Sequence, residues 1–240
     1  MKINYKLIGE GKETVLFLHG WGANLNSFLF CENALKNNYK LLLVDFPGFG
    51  ESEKLNNVFS VFDYALEIFK LLTKLEINNV NIVCHSFGGR VAILLSTIFN
   101  LKVNKLVLID AAGIKPRFNL KTKLKIFNYK LKKFLNKFKF INFNLSSYGS
   151  EDYKKLSAIE KQTFIKVVNF NEVKYCKQIA SKTLIIWGRS DCSTPIYMAK
   201  KFKKSIANSK LIIIKNAGHF CFLEYPSVVV EELESFLMFN

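Results

Sequence analysis

Residues 81–94 read Asn81-Ile82-Val83-Cys84-His85-Ser86-Phe87-Gly88-Gly89-Arg90-Val91-Ala92-Ile93-Leu94. An apolar run ends abruptly in His-Ser, crosses two glycines and resumes with helical spacing. Val80–Cys84 predicts a strand and Gly88–Phe99 a helix, with Ser86 on the corner between them. So sharp a corner holds the serine in a strained backbone conformation and lifts its Oγ clear of the carboxyl edge of a sheet. Side chains two positions before and two after would collide across the turn. Gly88 meets that demand fully, and Cys84 meets it as a small residue.

The same alternation runs outward in both directions. Thr14–Leu18, Leu41–Asp45, Val103–Asp110, Thr183–Trp187 and Leu211–Ile214 are short, β-branched and mostly continuously apolar. This is the pattern of strands buried on both faces of a parallel sheet. Helical spacing lies between them, at Ser27–Leu35, Val61–Leu75, Pro195–Ile206 and Ser227–Leu237. Asn4–Ile8 predicts an antiparallel edge strand. The expected fold class is therefore α/β, a doubly wound, mostly parallel sheet. The alternation breaks once, between Ile114 and about Lys177. Leu120, Leu124, Phe127, Leu131, Phe134 and Phe138 recur at spacings of four and three, one apolar stripe on a helix. Ser157 and Glu160 predict a capping box that starts another helix. The chain thus divides into a core, 1–113 and 177–240, and an inserted helical lid, 114–176.

Cys84-His85-Ser86-Phe87-Gly88 resembles the nucleophile elbow of the α/β-hydrolase fold family. Four more motifs agree in the family's order: His19-Gly20-Trp21-Gly22, Asp45-Phe46-Pro47-Gly48-Phe49-Gly50-Glu51-Ser52, Gly188-Arg189-Ser190-Asp191 and Ala217-Gly218-His219-Phe220. The resemblance covers the chain outside the lid, and Cys84 departs from it where glycine is usual. It implies a serine hydrolase without a metal or organic cofactor.

A serine hydroxyl is a poor nucleophile near neutral pH and needs an imidazole to take its proton. The chain has three histidines. His85 adjoins Ser86, where neighbouring side chains diverge. His19 closes a strand and is expected to brace its loop. His219, after the last strand, is left as the base. Its orienting acid is expected to be Asp191, with Asp110 as the competitor. The order Ser86, Asp191, His219 matches the resemblance. Asp45 is expected to shape its Pro-Gly turn. The backbone N–H groups of Trp21 and Phe87 map onto an oxyanion hole, with Gly20 beside them as a candidate substrate contact.

Only three arginines occur, Arg90, Arg117 and Arg189, all near expected site elements. Arginine binds carboxylates bidentately, so Arg90 and Arg117 are candidates for an acidic substrate; Phe127 is a candidate wall of an acyl pocket. The bland reading sets Arg90 packing on the sheet and Arg189 pairing with a neighbouring acid, and it stays ahead. The Ser-Phe-Gly-Gly-Arg run also resembles that of a lyase in the same superfamily that handles a carboxylate-rich substrate.

The formal net charge of +16 is almost all lysine, in a chain also rich in Asn, Ile and Phe. A/T-rich codons produce that bias unaided, so nucleic acid is not expected as a partner. The lid concentrates it: no acid lies between Asp110 and Glu151, while Lys115 to Lys139 supply a basic face. That face is read as solvated, with an anionic membrane or an acidic carrier protein as the sharper alternative. Five scattered cysteines without a Cys-x-x-Cys argue against a disulfide framework. No run approaches the roughly 18 apolar residues of a membrane span, and a cytoplasmic protein is expected. The leading expectation is cleavage of a small-molecule carboxylic ester through an acyl-enzyme. The alternatives are carbon–carbon bond hydrolysis or lysis of an acidic substrate on the same triad, and a non-catalytic protein that binds through the basic lid.

Overall fold

A computed structural model describes residues 1–116 and 156–239. The apolar runs form one seven-stranded sheet in the order β1-β3-β2-β4-β5-β6-β7. The strands are β1 (Tyr5–Ile8), β2 (Glu13–Leu18), β3 (Tyr39–Val44), β4 (Asn79–His85), β5 (Lys102–Ile109), β6 (Lys182–Gly188) and β7 (Ser209–Ile214). Only β1 is antiparallel, on the edge beside β3. Expected and observed strand limits differ by one or two residues at most ends.

Alternate side chains along each strand enter different cores, as the two-residue period of a strand requires. Leu16, Leu18, Ile82, Cys84, Leu106 and Leu108 face α2 (Val61–Lys74) and α3 (Phe87–Leu95), and Ile185 and Trp187 continue this core towards the helix Tyr197–Ser205. Val15, Phe17, Val83, Val107, Ile109, Leu184 and Ile186 face a 3-10 turn at Leu25–Cys31 and, further along, the C-terminal helix Pro226–Phe239. Helices cover both faces of the central strands, while β1 at the edge leaves Tyr5 and Leu7 exposed. Between β5 and β6 the described part of the insertion holds the helices Ala158–Asn169 and Val173–Cys176. The expected capping box is present: the Ser157 side chain accepts from Glu160 N, and the Glu160 side chain accepts from Ser157 N. The helix expected over 120–138, with Phe127, Arg117 and most of the basic face, lies outside the described residues.

Strand order fixes where a site can form. The chain passes from β2 to its outer neighbour β3, then returns across β2 to β4 and continues the other way. Loops after β2 and β4 therefore leave the sheet in opposite directions, which opens a crevice at their carboxyl ends. The His19-Gly20-Trp21-Gly22 loop and the Ser86 corner sit on that crevice.

Asp45, just beyond β3, organises the neighbouring turn. Its Oδ1 accepts from Leu25 N at 2.7 Å, and its Oδ2 accepts from Asn4 Nδ2 at 2.8 Å and Glu51 N at 2.9 Å. Gly50 is held against it at φ +52°, where a Cβ would lie 2.2 Å from Asp45 Oδ2. Asp45→Ala strands the buried Leu25 N, while water can reach the Asn4 and Glu51 donors, and is expected to cost about 2 kcal/mol in urea unfolding, the scale of one buried donor left unpaired. A loss below about 1 kcal/mol would show that water replaces the carboxylate.

Candidate active site

β4 ends at His85, and the chain turns through Ser86 into α3. Ser86 has φ +46° and ψ −113°, a conformation that L-residues rarely adopt. Contacts on both sides over-determine it. Ser86 N donates to Ile109 O at 3.1 Å, and Ser86 O accepts from Gly89 N and Ala112 N at 2.9 and 2.8 Å. Gly88 presses on the end of β2: a Cβ there would lie 2.1 Å from Leu18 O. Cys84 is tolerated because its side chain turns into the core, where Sγ reaches Val107 O at 3.2 Å.

Three loops meet at Ser86. His219 Nε2 lies 3.0 Å from Ser86 Oγ, and His219 Nδ1 lies 2.8 Å from Asp191 Oδ2. The hydroxyl, imidazole and carboxylate thus form one hydrogen-bonded line. Asp191 Oδ1 accepts from Ser193 N and Thr194 N at 2.7 and 2.9 Å, and the Thr194 hydroxyl lies 2.6 Å from Oδ2. Burial pushes the Asp191 carboxyl up, but the bonds from His219 and Thr194 outweigh it and hold the group below its usual range. An ionised Asp191 at that distance fixes the ring and favours the imidazolium that forms when Nε2 takes the hydroxyl proton.

Asp110, the competing acid, points elsewhere. Its Oδ1 accepts from Gly188 N at 2.8 Å and its Oδ2 from Cys221 N at 3.4 Å. It joins the loop carrying Asp191 to the loop carrying His219. Burial pushes its carboxyl up from 3.8 to about 7.

The other two histidines brace the frame. His19 Nε2 accepts from Phe46 N at 3.0 Å, and its Nδ1 lies 2.7 Å from Gly20 O. His85 turns away from Ser86 and donates from Nε2 to the carbonyl of His219 at 2.8 Å. Burial pushes the two imidazoles down to about 4 and about 3 respectively, so both are neutral at pH 7. Gly20 packs on this group, since a Cβ would lie 2.8 Å from His85 Nδ1. Trp21 follows it and packs edge-on to Phe87, with ring centroids 5.3 Å apart. Phe87 opens α3, whose N-terminal end carries partial positive charge.

Ser86 opens into a cavity of about 220 Å³, walled by Trp21, Phe87, Ile114, Phe164, Val167 and Met198 among others. Arg90 lines it too, one helical turn beyond the serine, but its guanidinium is engaged: Nη1 donates to Glu172 Oε2 at 2.8 Å and to Phe170 O at 2.7 Å. Arg189 is exposed on the loop before Asp191. Arg117 and Phe127 lie outside the described residues. Thr194, Glu172 and the wall supplied by Phe164 and Val167 went unrecognised in the sequence. The Asp-x-x-Thr spacing of 191–194 is a legible side-chain-to-backbone turn; nothing local marks Glu172 as the partner of Arg90.

The sequence model of the alpha/beta hydrolase fold matches residues 13–148 and 147–226. The chain belongs to the α/β-hydrolase fold family. One relative, the 2-hydroxy-6-oxononadienedioate/2-hydroxy-6-oxononatrienedioate hydrolase 1 of Pseudomonas putida, is 26% identical over 264 residues, 99% of this chain and 92% of that protein. Among solved structures, the esterase EaEST from Exiguobacterium antarcticum matches with a TM-score of 0.77 at 25% identity, over 98% of this chain and 95% of that one. A meta-cleavage product hydrolase from Pseudomonas fluorescens IP01 matches with a TM-score of 0.75 at 22% identity, over 98% and 93%; at that identity the likeness is one of fold. This α/β hydrolase is an enzyme. Among its described residues, no helix is long and apolar enough to cross a membrane.

The two acids separate by experiment. Asp191→Asn places an amide where His219 needs an acceptor, and kcat is expected to fall by about 10³–10⁴-fold, as in triads generally. Asp110→Asn weakens bonds to backbone amides and is expected to cost about tenfold or less, on the scale of one hydrogen bond. The reverse ranking would make Asp110 the acid. Stability carries a second signature. Asp110 has its folded pKa raised, so its contribution is full below 3.8 and is lost as pH rises through about 7. Denaturation midpoints of Asp110→Asn should therefore decline less than wild type between those values; an unchanged slope contradicts the raised pKa.

Proposed function

We propose that this hydrolase cleaves a carboxylic ester with an uncharged acyl group through a covalent acyl-enzyme. The observation that carries the reading is the Ser86–His219–Asp191 line opening onto an apolar cavity. In this mechanism Ser86 Oγ attacks the ester carbonyl while His219 Nε2 takes its proton. Asp191 orients the ring through Nδ1–H. The amides of Trp21 and Phe87 hold the oxyanion, and α3 adds the field of its N-terminus. The imidazolium then returns the proton to the leaving alcohol. Water, activated by the same imidazole, releases the acid. The cavity is smaller than the roughly 300 Å³ at which drug-sized pockets begin, which favours a short acyl chain.

One observation supports a second reading. The Pseudomonas putida relative aligned over 99% of this chain is named for a dienedioate, and carbon–carbon bond hydrolysis could run on the same three residues. The engaged Arg90 weighs against a doubly charged substrate at this cavity. Two measurements test the proposal. A fluorophosphonate probe should label wild type and fail on Ser86→Ala; labelling that persists in the variant refutes Ser86 as nucleophile. Turnover should favour short p-nitrophenyl esters over a vinylogous diketone acid by more than about tenfold, equivalent to 1.4 kcal/mol. The opposite preference selects the carbon–carbon reading.

A further inference from the structure

Arg90, which lines the cavity, forms an ion pair with the buried Glu172. The Arg90 and Glu172 side chains are 5% and 0% exposed, and the charged atoms are 2.8 Å apart. Ser86 caps α3, Arg90 follows it by four residues, and both line the cavity. Glu172 arrives from the other direction, where the insertion returns to the core. Its backbone N donates to Gly113 O at 2.8 Å, and Gly113 crowds its carboxylate: a Cβ there would lie 3.3 Å from Glu172 Oε2. Arg90 Nη2 also reaches Val168 O at 3.4 Å, and Val168 is a cavity wall. Burial raises the Glu172 carboxyl above its usual range, and the guanidinium offsets only part of that. A buried guanidinium without a counter-ion would cost several kcal/mol, and that cost favours the ionised Glu172 against the push of burial.

One atom in this arrangement lacks a partner. Glu172 Oε1 is buried and accepts no hydrogen bond. A carboxylate placed only to anchor the insertion would be expected to use both oxygens. What Glu172 does completely is cancel the one cation among the described cavity-lining residues.

We propose that Glu172 is a specificity-determining residue: it neutralises Arg90 from within and so closes the cavity to acyl groups that carry a carboxylate. This rests on the hydrolase reading above and adds what sets its substrate charge. A substrate carboxylate entering beside Arg90 meets a site already filled by an internal one, with like charge behind it. Replacing Glu172 by its uncharged isostere leaves the guanidinium in place with its counter-ion gone.

The test compares the p-nitrophenyl ester of butyric acid with the mono-p-nitrophenyl ester of succinic acid, which differs by a terminal carboxylate. Wild type should prefer the neutral ester in kcat/KM. Glu172→Gln should shift that ratio toward the acid by about tenfold or more, mainly through KM, the scale of one charge-assisted hydrogen bond. An unchanged ratio in Glu172→Gln overturns the proposal. Arg90→Met/Glu172→Met removes both charges and should keep the neutral preference; a shift toward the acid there also overturns it. A binding measurement needs no turnover. In the Ser86→Ala background, glutarate should bind by calorimetry only when Glu172→Gln is present, whichever bond the enzyme cleaves. Binding of glutarate at this cavity with Glu172 intact overturns the proposal, and that arm does not depend on how well Glu172→Gln folds.

Discussion

The close approach of α3 to the end of β2 is the constraint on which the site depends. Gly88 sits where any side chain would enter the carbonyl of Leu18. Only that proximity lets the chain reverse within one residue, and the reversal is what forces Ser86 to positive φ. The strain, of order 1–3 kcal/mol for such a residue, is carried by hydrogen bonds from the elbow to Ile109 and Ala112. It stays in place because the second-strand loop, the elbow and the loop after β5 are built against one another.

The remaining parts follow from where parallel strands end. Gly188 pairs with Ile214 across β6 and β7, and Ile109 pairs with both His85 and Ile186. The loops bearing Ser86, Asp191 and His219 therefore leave one edge at nearly one level. Asp110 ties two of them through its carboxylate, and His85 holds the third through the carbonyl of His219. Two residues beside the reacting groups thus act as braces, and burial keeps them in the uncharged or hydrogen-bonded states that bracing needs.

Much of this was legible in the sequence because the signals are local. Six apolar runs, a glycine two residues after a serine and the Ser157–Glu160 cap each follow from sterics or hydrogen bonding within a few residues. Elimination among three histidines left His219, and the structure sets its Nε2 3.0 Å from Ser86 Oγ. The long-range parts were not legible. Asp110 and Asp191 both end strands, and only the direction of their carboxylates separates them. The ion pair of Arg90 was invisible because its partner lies 82 residues away. The helix Gly88–Phe99 was read too long: α3 stops at Leu95, where Ser96 and Thr97 turn their hydroxyls back onto the carbonyls of Ala92 and Ile93.

The cysteines carry a practical consequence for anyone assaying this enzyme. All five are free. Cys84 and Cys221 lie two residues from Ser86 and His219, yet both are buried, with burial pushing their thiols far up. Cys31 and Cys176 are buried as well. Cys192 alone is exposed, directly after Asp191. Alkylating or oxidising reagents therefore meet the chain at the loop that carries Asp191. Loss of turnover after such treatment would imitate a thiol nucleophile while reporting a disturbed carboxylate.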